Sequence, residues 1–103
     1  MSPPMLKDTS VWTLLGKLAT EIGGENFQIV DHWDAALFSV GIASTKNPRR
    51  LVYISTFKKA PGRFAYECES PSKKAIYKVA SRSEDVSFQD LLGVIRRHLG
   101  LTA

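Results

Sequence analysis

The strongest constraint on the fold is the order of two hydrophobic periods along the chain, a helical period at each end and a strand period between them. From position 11 to position 22, apolar residues recur every three or four positions, so they share one face of a helix. Asp8 or Ser10 can cap its first turn, and the glycine pair at 23–24 can end it. These residues predict a first helix near the start of the chain.

The second helix is predicted to begin after Ser87, which lies three residues before Asp90 in a variant of the capping box. Gly100 follows the helical period and can end the helix. The cationic residues at 96–98 fall in the last turn, where the negative end of the helix dipole favours them. The apolar stripe consists of Phe88, Leu91, Leu92, Ile95 and Leu99.

Between the two helical segments, apolar and polar residues alternate in short runs, which is the pattern of strands with one buried face. The predicted strands are 27–33, 36–44, 51–57, 64–69 and a short strand at 76–80. The whole order predicts an α+β fold with an N-terminal helix, an antiparallel meander sheet of four to five strands and a C-terminal helix, both helices lying on one sheet face. We expect a flexible N-terminal segment at 1–8 and a single domain at 9–103.

Composition excludes several classes of protein. The 103 residues contain one cysteine, Cys68, which excludes an internal disulfide and a multi-cysteine zinc site. The longest apolar stretches have only a few residues, whereas a membrane span needs about 18. Residues 1–8 lack the apolar core of a signal peptide. The chain is therefore expected to be a reduced, cytoplasmic protein that does not enter membranes.

Nucleophilic catalysis needs a nucleophile, a base within hydrogen-bond reach and a group that orients the base. The only histidines are His32 and His98, and the second has a sufficient role as a cation at a helix C-terminus. Cys68 shares a strand face with Phe64 and Tyr66, which predicts a buried, structural thiol. We therefore expect no enzyme activity and no cofactor.

The densest group of polar and aromatic residues is Asp-His-Trp-Asp at 31–34. On a strand, Asp31 and His32 point to opposite faces, which argues against a metal site. Glu67 and Glu69 share one strand face and could bring carboxylates nearby, so an oxygen-rich cation site stays open but is not expected. The other interpretations are turn-forming aspartates beside a core-edge tryptophan and a recognition surface.

Basic residues form three clusters in predicted loops. A meander places the first and third at one end of the sheet and the second at the other, which separates the charge. The order also resembles that of double-stranded-RNA-binding domains, but the second helix begins after Glu84 and Asp85 instead of after lysines. Because of these two features, a basic nucleic-acid-binding module is the alternative function and not the first one. The clusters are Lys46, Arg49 and Arg50; Lys58, Lys59 and Arg63; and Lys73 and Lys74.

Several segments resemble small bacterial immunity proteins of contact-dependent growth inhibition and related polymorphic toxin systems. The resemblance covers about residues 10 to 100, and its motifs are structural, none of them catalytic. The segments that carry it are FQIVDHWD at 27–34, VGIA at 40–43, LVYIST at 51–56, YECE at 66–69, and the chain from DVSF at 85–88 to RRHLG at 96–100.

The resemblance implies a non-enzymatic inhibitor that binds the C-terminal toxin domain of a cognate effector in the cytoplasm and covers its active site. Carboxylates would suit a nuclease toxin, since they present negative charge where phosphates bind. The formal charge of the chain is +4. Either the acidic patch is local, or the basic loops contact an acidic toxin, and both alternatives stay open. The candidate partner-binding residues are Asp31, Trp33, Asp34, Tyr66, Glu67 and Glu69.

Overall fold

The computed structural model describes residues 7–30, 37–71 and 77–101. Its five strands form one antiparallel sheet in the order β1-β2-β3-β4-β5, with a helix before the sheet and a helix after it. This confirms the predicted α+β meander. The elements are α1 (Thr9–Ile22), a 3₁₀ turn (Gly24–Asn26), β1 (Phe27–Val30), β2 (Ser39–Ser44), β3 (Leu51–Ser55), β4 (Arg63–Pro71), β5 (Tyr77–Ser87) and α2 (Phe88–His98).

The predicted helix caps correspond to hydrogen bonds. At the start of α1 the cap is Asp8, whose Oδ2 accepts from the Ser10 backbone N–H at 2.9 Å and from the Ser10 hydroxyl at 2.7 Å. The helix ends at Gly23, whose φ of 86° is costly for residues with a Cβ. At α2, the Ser87 hydroxyl accepts from the Asp90 N–H at 3.1 Å. Local sequence is therefore sufficient to place both helices.

The prediction of a short fifth strand at 76–80 is wrong, because β5 continues to Ser87 and leads directly into α2. Register shifts occur opposite Phe64/Tyr66 and Cys68/Glu69, and each places one extra residue on β5. These bulges break the alternation by which a strand is recognised in sequence. They also interrupt regular pairing on this outer strand, which is a known protection against strand addition at sheet edges.

One hydrophobic core contains the buried side chains of both helices and those of a single sheet face. The register shows that face directly, since Ile42 pairs with Val52, which in turn pairs with Cys68. The placement of both helices on this face stays a prediction that the shared core supports. Neither helix of the described chain is long and apolar enough to cross a membrane. The largest buried core side chains are Leu14, Leu18, Ile42, Ile54, Leu91 and Ile95.

The Asp8 cap generates a prediction about pH. Its hydrogen bonds from Ser10 hold the pKa of the Asp8 carboxyl below the usual 3.8. A lowered pKa in the folded state stabilises the protein above about pH 4, and this stabilisation is lost as the pH falls through the folded-state value. Asp8→Asn keeps an N-cap oxygen but cannot ionise. Urea unfolding should show wild type more stable than Asp8→Asn at about pH 7, with the difference shrinking towards about pH 3.

The matched control is Ser10→Ala, which removes the hydroxyl hydrogen bond to the Asp8 carboxylate. In that background the pH dependence of the Asp8→Asn effect should be weaker. A stability difference between wild type and Asp8→Asn that stays constant from about pH 7 to about pH 3 would contradict the assignment.

Candidate functional site

The candidate partner-binding residues separate into two groups. Asp31, Trp33 and Asp34 lie outside the described residues. Tyr66, Glu67 and Glu69 lie on β4, and the alternation of a strand places Tyr66 on the opposite face from the two glutamates. Tyr66 is half-buried and packs against the core. Strand alternation therefore places Glu67 and Glu69 on one face, while Tyr66 packs against the core and also lines a groove that contains Glu67.

The sheet face that points away from the core, here called the outer face, carries a row of functional side chains across three strands. Tyr53 on β3 pairs with Glu67 on β4, and Glu67 pairs with Arg82 on β5. Residues directly opposite each other in an antiparallel pair share a face and have Cβ atoms about 5 Å apart. Ser39, Ser55 and Ala65 are small, and they leave a groove of about 320 Å³ beside this row. Glu84 also lines the groove.

The position of Tyr53 depends on Gly41, its cross-strand partner on β2. A Cβ on Gly41 would lie 2.8 Å from Cε1 of the Tyr53 ring and 2.5 Å from the backbone oxygen of Val30. The ring therefore lies over the glycine, which is the arrangement in which an aromatic residue shields a backbone that has no side chain. Sequence reasoning did not select Tyr53 as a site residue. The sequence does contain a signal for it. Tyr53 lies between the core residues Val52 and Ile54, so strand alternation places its side chain on the opposite face.

Charge is distributed unevenly between the outer face and the rest of the molecule. Glu67, Glu69 and Glu84 lie on the outer face or line its groove, together with the cation Arg82. The groove and the β4 position beside it therefore carry three carboxylates and one guanidinium, while Arg63 farther along β4 pairs with Asp85 at 2.8 Å. Both alternatives for the interface, the carboxylates of this face and the basic loops, stay predictions.

The basic clusters also occupy defined places. The meander puts the β2–β3 loop, with Arg50, and the β3–β4 loop, with Lys58, at opposite ends of the sheet. The predicted third cluster at 73–74 lies outside the described residues. The first cluster lies beside the last turn of α2, which contains Arg96 and Arg97, because Nη1 of Arg50 donates to the backbone oxygen of His98 at 3.2 Å. The sequence did not reveal this meeting of Arg50 with the last turn of α2.

Among the described residues, the thiol of Cys68 and the imidazole of His98 both have structural roles. The side chain of Cys68 is 1% exposed, and its burial raises the pKa of the thiol, against smaller opposing effects of a Ser81 hydrogen bond and the Arg97 charge. Nε2 of His98 donates to the backbone oxygen of Glu69 at 2.8 Å. Within 7–30, 37–71 and 77–101, no group of three or more His, Cys, Asp or Glu residues is arranged to hold a metal.

Comparison with known proteins gives no match to this chain among family models, curated proteins or solved structures. The candidate site is therefore defined by its geometry and charge. It is the row of Tyr53, Glu67 and Arg82 on the outer face, with Glu69 and Glu84 beside it.

The contact between Gly41 and Tyr53 generates a prediction about stability. Gly41→Ala should destabilise the protein by about 1 to 3 kcal/mol, because the new methyl group meets both a backbone oxygen and the tyrosine ring. The control is Gly16→Ala on α1, where a Cβ meets nothing within 4 Å. That variant should gain about 0.5 to 1 kcal/mol from helix propensity. Urea unfolding measures both, and a Gly41→Ala protein as stable as wild type would contradict the packing described.

Proposed function

We propose that this protein is a non-enzymatic inhibitor, an immunity protein that binds the C-terminal toxin domain of a cognate bacterial effector and covers its active site. The proposed binding surface is the outer face. The observation that carries the proposal is the row of Tyr53, Glu67 and Arg82, which presents an aromatic ring and ionised groups on adjacent strands. The resemblance of the sequence to immunity proteins supports the same class of function.

The outer face meets the requirement of an inhibitor for a rigid surface. Tyr53 and Glu67 lie on β3 and β4, and each of these strands is paired on both sides. Backbone groups in central strands have little freedom to lose on binding, so less of the interaction energy is spent on ordering. Tyrosine is also one of the residue types enriched among the few that dominate interface energies. Tyr53 is therefore held in position before binding and can serve as the anchor that fills a pocket of the partner.

The charge of the outer face favours a toxin with a basic active site. Nucleases bind the phosphates of their substrates with Lys and Arg side chains, and the same side chains attract carboxylates. Glu67 and Glu84, together with Glu69, would occupy positions equivalent to substrate phosphates. The positive charges of the β2–β3 loop and of the last turn of α2 lie elsewhere on the molecule, so the net charge of the chain does not prevent this contact. A nuclease toxin is therefore our proposed target.

The second candidate function is nucleic-acid binding. Its specific support is the meeting of Arg50 with the last turn of α2, which contains Arg96 and Arg97. Such a patch would bind nucleic-acid phosphates with an affinity that falls steeply as the salt concentration rises, because binding releases counterions from the nucleic-acid backbone. Two features favour the inhibitor. The second basic loop lies at the other end of the sheet, and the outer face carries the acidic groove.

The proposal predicts the effect of charge reversal at Glu67. The partner to test is the C-terminal domain of the effector encoded beside this gene in its native genome. Wild-type protein should restore growth to bacteria that express this domain and should bind it in a one-to-one complex by calorimetry. Glu67→Lys should weaken binding at least about tenfold, equivalent to about 1.4 kcal/mol, because it places a cation opposite basic groups.

The matched control is Glu25→Lys, the same charge reversal on an exposed glutamate of the 3₁₀ turn. It should bind and protect as wild type does. Tyr53→Ala should weaken binding as Glu67→Lys does, provided that its thermal unfolding shows a folded protein. Equal affinity of wild type and Glu67→Lys would remove the outer face as the binding surface, and absence of binding and protection by the wild type would overturn the proposal itself.

A further inference from the structure

A second concave surface lies on the core side of the sheet beside α2, and we propose that it binds the phosphate group of a small phosphorylated ligand. We call this surface the basic groove. Its volume is about 420 Å³, which is in the range of small-molecule sites. It is lined by Arg50, Tyr66, Cys68, Ser81, Arg97 and His98.

Three elements build the groove. Cys68 and Ser81 are paired across β4 and β5, and they contribute the sheet side. The last two turns of α2 form the opposite wall with Arg97 and His98. Arg50, which directly precedes β3, joins the sheet to this wall through its hydrogen bond to the His98 backbone oxygen. Apart from Tyr66, which lines both, the basic groove and the groove of the outer face share no lining residue.

Hydrogen bonds hold the Arg50 and His98 side chains in place. Nη1 of Arg50 donates at 3.2 Å to the backbone oxygen of His98, and Nε2 of His98 donates at 2.8 Å to the backbone oxygen of Glu69. An arginine has five N–H donors, so Arg50 keeps donors beyond the one used here. A site whose cations are already positioned loses less freedom when an anion binds.

Arg97 supplies the second guanidinium group of the groove. Its Nη1 lies 3.4 Å from the position that a Cβ on Gly93 would occupy, so the side chain folds back along α2 over this glycine. The Arg97 guanidinium donates no hydrogen bond and forms no ion pair with the residues that the structure describes. No described residue therefore uses the guanidinium N–H donors of Arg97, and a ligand can accept hydrogen bonds from them.

The chemistry of the lining indicates a phosphate. Among the described residues that line the groove there is no Asp or Glu, whereas two guanidinium groups and an imidazole are present. Guanidinium groups bind phosphate oxygens in pairs of parallel hydrogen bonds. The hydroxyls of Ser81 and Tyr66 can donate as well. A phosphate alone is much smaller than the groove, and Val94 adds an apolar wall, so the ligand is assigned as a phosphate carried on a small organic group.

The test is a titration of ¹⁵N-labelled protein with inorganic phosphate and with adenosine 5′-monophosphate, with sodium chloride keeping the ionic strength constant. The backbone amide signals of Ser81, Val94 and His98 should shift and saturate. Arg97→Gln and Arg50→Gln should each weaken phosphate binding by about fivefold or more, since each removes a charged hydrogen-bonding group. Arg97→Lys should weaken it less, because the charge remains and the planar donors are lost.

The control is Lys58→Gln, which removes a cation at the other end of the sheet and should leave phosphate affinity unchanged. Shifts that do not saturate, or equal losses in Lys58→Gln and Arg97→Gln, would indicate general screening and overturn the proposal. A third arm uses a single-stranded oligonucleotide. If it binds with a steep salt dependence while phosphate and the monophosphate do not saturate, the groove is a nucleic-acid surface and the small-ligand proposal is wrong.

Discussion

The register between β3 and β4 is the constraint on which both the core and the candidate site depend. Val52 opposite Cys68 faces the hydrophobic core, while the adjacent pair of Tyr53 and Glu67 faces away from it. Because side chains alternate strictly along a strand, a slip of one residue would exchange the two faces. It would expose the core residues and bury a glutamate, and burying an unpaired charge is far more costly than losing apolar contacts. The stability of the core therefore fixes the outer face as well.

The direct passage from β5 into α2 determines the distribution of charge. Ser87 ends the strand and caps the helix, so the direction of α2 follows from the end of β5 without a loop. The last turn of α2 is thereby brought to Arg50 and to the β4 backbone at Glu69. Cations gather on the core side, and the glutamates of β4 stay on the outer face. One chain of net positive charge consequently has a group of carboxylates on its outer face and a basic groove beside α2.

Local signals were sufficient for the helices and for the strand order. Asp8 and Ser87 cap the two helices through their own side chains, and the glycines at 23 and 100 end them with positive φ. The length of β5 was not predicted, because each of its two bulges adds a residue and interrupts the alternation of the two faces along the strand. Tyr53 was not predicted as a site residue because the densest group of polar and aromatic residues in the sequence lies at 31–34, outside the residues that the structure describes. The alternation of β4 in the sequence already places Tyr66 on the opposite face from Glu67 and Glu69.

The sequence by itself determined where helices and strands form and which side chains of each strand are apolar, because these depend on residues a few positions apart. It also determined that Glu67 and Glu69 share a face. Only the tertiary structure decided which residues lie opposite each other on neighbouring strands. This register placed Tyr53 over Gly41 and Glu67 beside Arg82. It also brought Arg50 to α2, nearly half the chain away. Such contacts depend on register and helix direction, which result from burying the whole core at once and are not encoded in any short segment.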